Sequence, residues 1–483
     1  MPIGERHVPP TAGGGTRFCN GLAVDDITGD ESGFTSPVWH GSGFDSMTIG
    51  RIRVSFPTPM SNTPDNADLP PLPHSHRPGT ARAAFAYRDY RLVWTSMLLS
   101  NIGTWMQNLA LPAYIDDRTG SAKIVSLLVF AQLGPLLLLA IPGGIIAGRF
   151  NLQRYLLFMQ WVQLVFSLVL AAIVSVDGPI WALFLAQTSI GVANALNAPA
   201  FQASVPMLVD RRDLAGAISL NSTQLNGSRV AGPAIAALLA IWGVSTSQIF
   251  VINAATYLFL IVALHMVQIP DIRSRPTETG WRRALSGINI AASRPVLSRL
   301  LWSMTLFSLF CLVYVGLFSS VARLNFGISP VGSTYRWLYA VWGLGALCGA
   351  LATGTFLAHK HKPTIIRFGF LGFAVALAAF ALVRSVIPAF PIGFVLGLFY
   401  FMTANAMVTV FQQNLRDNER VTVMPLWFMS FGGTVTIGGL LAGPIIDAIG
   451  PRWVLLFGAV FAIFLSWWSD LDRLPTSSFL GAD

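Results

Sequence analysis

Charge is what this chain lacks most. Only 11% of its 483 residues are Asp, Glu, Lys or Arg, against 53% hydrophobic, and the mean hydropathy is +0.60. Soluble domains carry roughly a quarter charged residues, so a soluble globular class is excluded. Cysteine is scarce too. Cys19, Cys311 and Cys348, two of them inside apolar runs, cannot build a disulfide framework and read as small packing residues. No GxxxxGK[ST] phosphate loop is present, which argues against an ATP-driven pump within this chain. No basic soluble domain exists to turn the net charge of +9 toward nucleic acid, so a nucleic-acid partner is set aside.

Long greasy runs are there instead. "LLVFAQLGPLLLLAIPGGIIAG" from Leu127 is apolar on every face, which suits a membrane helix and not a barrel strand of alternating polarity. After Arg91 about twelve such segments begin, near Leu92, Ile124, Tyr155, Ile180, Leu214, Gln248, Leu297, Thr334, Thr364, Pro388, Val421 and Trp453. The expected fold class is an all-α polytopic membrane protein with twelve transmembrane helices. One set of loops holds most of the basic residues, among them Arg149, Arg154, Arg211, Arg212, Arg282, Arg283, Lys360, Lys362, Arg416 and Arg420. Alternate loops hold fewer, so the positive-inside rule predicts a multi-pass cytoplasmic membrane protein with both termini in the cytoplasm.

The expected organisation has five parts. Residues 1–84, rich in Gly, Pro, Ser and Asp, read as a disordered cytoplasmic tail. Residues 85–268 and 297–470 are two helical halves, joined by a cytoplasmic linker, 269–296, and followed by a tail, 471–483. Within the linker region "WRRALSGINIAASRPVLSRLL" from Trp281 reads as an amphipathic helix on the membrane surface. An internal repeat supports the two halves. Shifting the second half back by 345 − 134 = 211 positions aligns Gly134 with Gly345, Arg149 with Lys360, Asn194 with Asn405, Gln202 with Gln413 and Pro233 with Pro444. Each half then holds six helices.

Polar groups inside the spans are the candidate site. Arg229 lies about fifteen residues into its segment, and a charge at that depth costs on the order of 3 kcal/mol unless it faces a cavity. At about 100° per residue, Ser222, Asn226 and Arg229 share one stripe, with Asn221, Gln224 and Ser228 beside it. Arg229 is expected to line a central cavity and attract anionic or carbonyl-rich groups, the plainer alternative being a bond to carbonyls freed by Pro233. Gln107, Gln132, Asn405 and Trp105 complete the substrate-binding candidates, with Trp105 placed to stack a planar compound. Asn108, Gln160, Gln163, Gln187, Asn194 and Gln412 are further amides within spans, each as able to bond between helices as to line a cavity. No acidic residue lies deep in any span; Asp116, Asp117 and Asp447, near external ends, are the candidates for proton coupling. A membrane-embedded enzyme would need clustered carboxylates for a metal, and "DDRTG" at Asp116 is the sole candidate, so no catalytic residue, metal or cofactor is expected. "AHKHK" at Ala358 reads as an anchoring loop.

Duplicated six-helix halves resemble the major facilitator superfamily. "YRDYRLVWTSMLLSNIGTWMQNLALPAYIDDRTGSA", "APAFQASVPMLVDRRDLAGAISLNSTQLNGSRVAGPAIA" and the Trp281 segment are similar to its enterobactin-exporter-like and macrolide-efflux-like branch, over residues 85–470. The resemblance implies the major facilitator fold, parallel repeats and a substrate site between the halves near mid-membrane. It also implies a secondary transporter exporting a small amphipathic compound by alternating access. The partners are then that compound, the lipid bilayer and protons, and the expected state is a monomer. An importer and a nontransporting receptor or scaffold are the alternatives. Between its second and third helices the superfamily carries a Gly-rich turn, an acidic residue and arginines, which here is "GGIIAGRFNLQR". Gly143 and Gly144 allow close helix approach, Arg149 and Arg154 are gating candidates, and Gly148 stands where the family has its acid, removing the partner of a charge relay. Simple cytoplasmic anchoring explains the arginines equally well. "NGSRVAGP" resembles the exporters' Gly-Pro motif with one extra residue between Gly227 and Gly232, whereas Gly439, Gly443 and Pro444 keep its spacing. Gly232, Pro233, Gly443 and Pro444 are therefore conformational candidates.

Overall fold

The computed structural model describes residues 46–49, 52–55, 75–147, 149–269 and 280–475. The rest of the expected tail 1–84, Gly148, linker residues 270–279 and the tail from 476 lie outside the described residues. The chain divides into two units, Met1–Leu72 and Pro73–Asp483. In the first, β1 (Ser46–Ile49) pairs antiparallel with β2 (Ile52–Ser55), Met47 opposite Val54.

The second unit is helical through its described residues. In chain order it holds α1 (Ala81–Ala86), α2 (Arg88–Thr119), α3 (Ala122–Ala147), α4 (Leu152–Ser175), α5 (Ile180–Ser204), α6 (Leu214–Ile241) and α7 (Thr246–Met266). It continues with α8 (Gly280–Ser293), α9 (Pro295–Leu306), α10 (Val313–Gly316), α11 (Phe318–Phe326), α12 (Ser333–Gly354), α13 (Lys362–Leu382) and α14 (Val386–Gln413). It closes with α15 (Asp417–Phe428), α16 (Thr434–Ile449) and α17 (Pro451–Trp468). Wide π turns at Phe307–Cys311 and Met429–Gly433 interrupt the α9–α10 and α15–α16 runs.

In hydrocarbon each backbone N–H and C=O must be bonded within its own segment, so apolar runs of this length become helices. Among the described residues, eight helices are long and apolar enough to cross a membrane. The long helices α2, α5 and α6, of 32, 25 and 28 residues, are less apolar and fall outside that set. They carry Asn101, Gln107 and Asn108, then Gln187, Asn194 and Asn197, then Gln224 and Arg229. Helix ends follow local chemistry. Gly120 closes α2 with φ 60°, Asn151 caps α4 through the Arg154 N–H, and Ser245 with Gln248 forms a capping box on α7.

Packing groups α2–α7 together and α9–α17 together. Within the first, α3 lies on α5 and α4 on α7; within the second, α12 lies on α14 and α13 on α17. Glycine makes the closest approaches: any Cβ at Gly191 would strike the Gln132 carbonyl, and one at Gly397 the Trp342 carbonyl. In the first group a buried amide network pins four helices, with Gln107 bonded to Gln187 (3.3 Å), Ser167 (2.9 Å) and Asn253 (2.7 Å). In the second the core is aromatic: Phe307 meets Phe370 and Phe373 edge-on, at ring distances of 5.1 and 4.9 Å.

Each group also ties the start of its first long helix to the start of a later one. The Tyr87 hydroxyl and the Gly79 N–H donate to buried Asp213, both at 2.9 Å, at the foot of α6. Burial, then the Asp213 hydrogen bond, pushes the Tyr87 phenol up to about 12. Arg294 forks onto Glu419 at 2.6 and 2.8 Å and donates to the Asn414 carbonyl. Burial alone would raise the Glu419 carboxyl, but Arg294 and the Arg416 N–H outweigh it and hold it below its ordinary range. Helix α8, where the surface helix is expected, packs on α15 through Gly287, whose missing side chain leaves room for the Thr422 carbonyl.

Candidate functional site

A cavity of about 390 Å³ lies between the two helix groups. One wall comes from α2, α3, α4 and α5 and is rich in amides: Asn101, Asn108, Gln132, Gln160, Gln163 and Asn194. The facing wall comes from α11, α12 and α14 and is aromatic: Phe318, Tyr335, Tyr339, Trp342, Tyr400 and Phe401. The amides partly satisfy one another, Gln132 donating to Asn108 at 2.6 Å and Gln160 to Asn197 at 3.2 Å. Such a lining suits a compound with a planar apolar body and several hydrogen-bonding groups.

Arg229 stands where the walls meet. Its guanidinium carbon lies 5.2 Å from the Trp105 ring of α2 and 5.2 Å from the Phe401 ring of α14, a cation–π contact to each helix group. Among the described residues no Asp, Glu, Lys or His lines the cavity, so Arg229 is its one charged side chain. Beside it Gly343 brings α12 against α6, where a Cβ would sit 3.4 Å from the Arg229 carbonyl oxygen.

The groups also meet at the end of the bundle that carries the α2–α3 turn. Fully buried Asp116 accepts from Arg323 Nε and Nη2, both at 3.0 Å, and from the Ser320 hydroxyl at 2.8 Å, joining α2 to α11. Asp447 of α16 caps α3, accepting from the Ser121 hydroxyl (2.7 Å), the Ala122 N–H (2.7 Å) and the Lys123 N–H (3.0 Å). Buried Arg336 of α12 donates to the Ala236 carbonyl of α6 at 3.3 Å. These three contacts join the two helix groups at that end.

Of the residues singled out in the sequence, Arg229, Trp105 and Gln132 line the cavity together. Gln107 faces the amide network, Gln224 is buried off the cavity and exposed Ser222 bonds its own helix at Ile218. Asn405 also lies off the lining, and the Asn226 side chain is outside the described residues. Gly232 lets α6 touch α2, since a Cβ there would sit 2.6 Å from the Trp105 Cβ; Gly443 lets α16 touch α3, 2.9 Å from the Ala122 carbonyl oxygen. Pro233 and Pro444 follow them within the same helices. Gly143 and Gly144 fall in the last turns of α3, with surroundings outside the described set, while exposed Arg149 and Arg154 line a separate groove with Phe150 and Phe158. Asp117 is exposed at the end of α2. Sequence reasoning missed Arg323, Ser320, the Tyr339, Tyr400 and Phe401 wall, and the Arg294–Glu419 pair. No spacing signal pointed to any of them.

Comparisons with known proteins show the family and the fold. The family model described as transmembrane secretion effector, of the major facilitator type, matches residues 79–477. Macrolide efflux protein A of Streptococcus pyogenes is 21% identical over 392 residues, covering 77% of this chain and 94% of its own. The enterobactin exporter EntS of Shigella flexneri is 27% identical, covering 65% and 74%, and the staphyloferrin A transporter of Staphylococcus aureus 24%, covering 74% and 89%. Among solved structures, a bacterial homolog of the human lysosomal transporter Spinster aligns with a TM-score of 0.64 at 14% identity, covering 82% and 98%. The nucleoside transporter NupG aligns with a TM-score of 0.62 at 11% identity, covering 80% and 100%. At these identities the structural likeness speaks to the fold alone.

Proposed function

From a chain that belongs to the transmembrane secretion effector family of the major facilitator type, and so is a membrane transporter and not an enzyme, we propose an exporter of small amphipathic compounds across the cytoplasmic membrane. The single observation that carries this reading is the cavity between the two helix groups, with Arg229 clasped by one aromatic ring from each. A side chain that touches both groups at once senses their relative position, which a binding site in a rocking carrier requires. The names of the similar proteins, two of them an efflux protein and an exporter, support the outward direction.

The transport reading needs twelve spans in two six-helix repeats, and the packing supports it. The eight apolar spans are joined by α2, α5, α6 and the α9–α11 run, and α3 on α5 matches α12 on α14 at the 211-residue offset. Basic loops at the α3–α4 and α12–α13 connections support a cytoplasmic location for that end and for both termini. The α2–α3 turn then lies outside, and the conformation is open to the cytoplasm with its outer end shut. Arg229, Trp105 and Gln132 bind substrate, and Gly232 and Gly443 hold the helix crossings about which the groups rock.

The test is efflux of labelled siderophores and drugs from cells expressing wild type, Arg229→Gln or Arg229→Lys at matched membrane levels. At least a tenfold loss is expected for Arg229→Gln, with partial rescue by lysine. Unchanged efflux in Arg229→Gln moves the binding site elsewhere, and no export by wild type favours import or a nontransport role.

A further inference from the structure

Among the described residues Arg229 has no counterion. It lines the cavity, the cavity holds no carboxylate, and no acidic side chain pairs with it among the described residues. Trp105 and Phe401 each hold the guanidinium at 5.2 Å, and such contacts to ring faces leave its edge N–H donors turned elsewhere. A charge taken from water without a partner is costly, and the missing partner must come from what the cavity admits. We infer that the substrate enters as a monoanion with a planar aromatic body, and that the membrane potential acting on Arg229 drives its export. This inference rests on the transport reading above.

Charge accounting gives the direction. The empty cavity carries one positive charge, so an inside-negative potential draws the unloaded carrier toward the state open to the cytoplasm. A bound monoanion cancels that charge, and the loaded carrier turns outward with no charge crossing the field. After release the positive cavity is pulled back, and each cycle has moved one negative charge outward, down the electrical gradient. At about 2.3 kcal/mol per charge per 100 mV, this supports a concentration ratio of about fiftyfold. No titrating carboxylate in the cavity is required, which accounts for its lack of Asp and Glu. Asp116 and Asp447 keep their bonds at the outer seal in the inward-open state. The lining also sets the substrate's shape: a flat ring system fits along Tyr339, Trp342 and Tyr400, its anionic end at Arg229 and its polar substituents on Gln132 and Asn108. A cation meets Arg229 at close range and is excluded.

The test uses the full chain in right-side-out proteoliposomes, with potentials set by potassium and valinomycin. Val129 of α3, nearly buried beneath the outer seal and lining the cavity, is replaced by cysteine after removal of the three native cysteines. Impermeant maleimide outside then reports outer opening. If Arg229 crosses half the field, a 100 mV change should shift wild-type labelling about sevenfold, more at inside-positive potential, and Arg229→Gln should respond far less. In parallel, 2-naphthalenesulfonate, a permanent anion, should accumulate inside at inside-positive potential and ignore a pH gradient at zero potential. N-methylquinolinium, of matching size and opposite charge, should not move. Voltage-insensitive labelling, equal carriage of the cation, or accumulation that follows the pH gradient each overturns the inference while leaving transport intact. Failure of both probes with the outer end still opening overturns the substrate class. If the outer end never opens, the alternating-access reading falls instead.

Discussion

The Asp116–Arg323 pair, which the proposed alternating-access reading makes the outer seal, offers the sharpest quantitative test. Replacing Asp116 with asparagine keeps its shape and a bond from Ser320 but strands the Arg323 guanidinium. Breaking a buried pair costs about 3–5 kcal/mol when the orphaned charge stays buried. Asp116 has no exposed side-chain surface, but Arg323 is 25% exposed, so water takes up part of that cost. About 2 kcal/mol is the reasonable figure, charged entirely to the sealed state, because the pair bridges two groups that part when the outer end opens. By the rule of 1.4 kcal/mol per decade, outer opening becomes about thirtyfold more populated. Labelling of Val129→Cys from outside reads this directly, and Arg323→Gln, which strands the fully buried Asp116 carboxylate, should raise it at least as much. The double variant Asp116→Asn with Arg323→Gln strands nothing, so its effect should fall clearly short of the two single effects summed. Singles that change labelling by less than twofold, or a double equal to their sum, would refute the latch.

Four further outcomes follow from the packing, the charge pairs and the amide network. Gly232→Ala pushes a methyl to 2.6 Å from the Trp105 Cβ and 2.9 Å from the Ile102 carbonyl oxygen, and should cost about 1–3 kcal/mol in thermal unfolding in detergent. Gly439→Ala, with nothing within 4 Å of its new methyl, should be neutral or slightly stabilising in the same assay. Glu419 has a folded pKa below its ordinary 4.5, so its contribution is complete above that value and lost as pH falls through the lower folded value. Melting temperatures from pH 6 to pH 3 should drop less steeply in Glu419→Gln than in wild type. Gln107→Leu breaks the four-helix amide network and should lower stability by about 1–2 kcal/mol while leaving the affinity of transported compounds unchanged, because Gln107 does not line the cavity.

Comparison of particular residues shows what the sequence could and could not convey. Arg229 was legible because one charge in an apolar run has few tolerable positions, and a cavity wall is the commonest. The amides were not sortable by that argument. Gln107 and Gln132 are chemically identical and both sit in long helices, yet one closes a buried network and the other faces the cavity. Which way each turns depends on neighbours that no local pattern encodes. Asp116 was noticed as an acid near a span end, but its partner lies 207 residues away, beyond any periodicity. The aromatic wall was hidden for a different reason: phenylalanine and tyrosine are common in every span, so those lining a cavity carry no separate mark.

The two wide turns, Phe307–Cys311 and Met429–Gly433, lie next to each other in the α9–α17 group, and Phe431 and Gly432 of the second border the cavity. Each turn loosens its helix ladder at that point, and no such turn occurs among the described residues of α2–α7. The jaws of the clamp are therefore unequal in compliance. On the proposed reading, cargo would be pressed by a yielding aromatic jaw against a rigid one of amides, so that compounds of differing thickness would be taken up on the yielding side while the polar contacts keep their register.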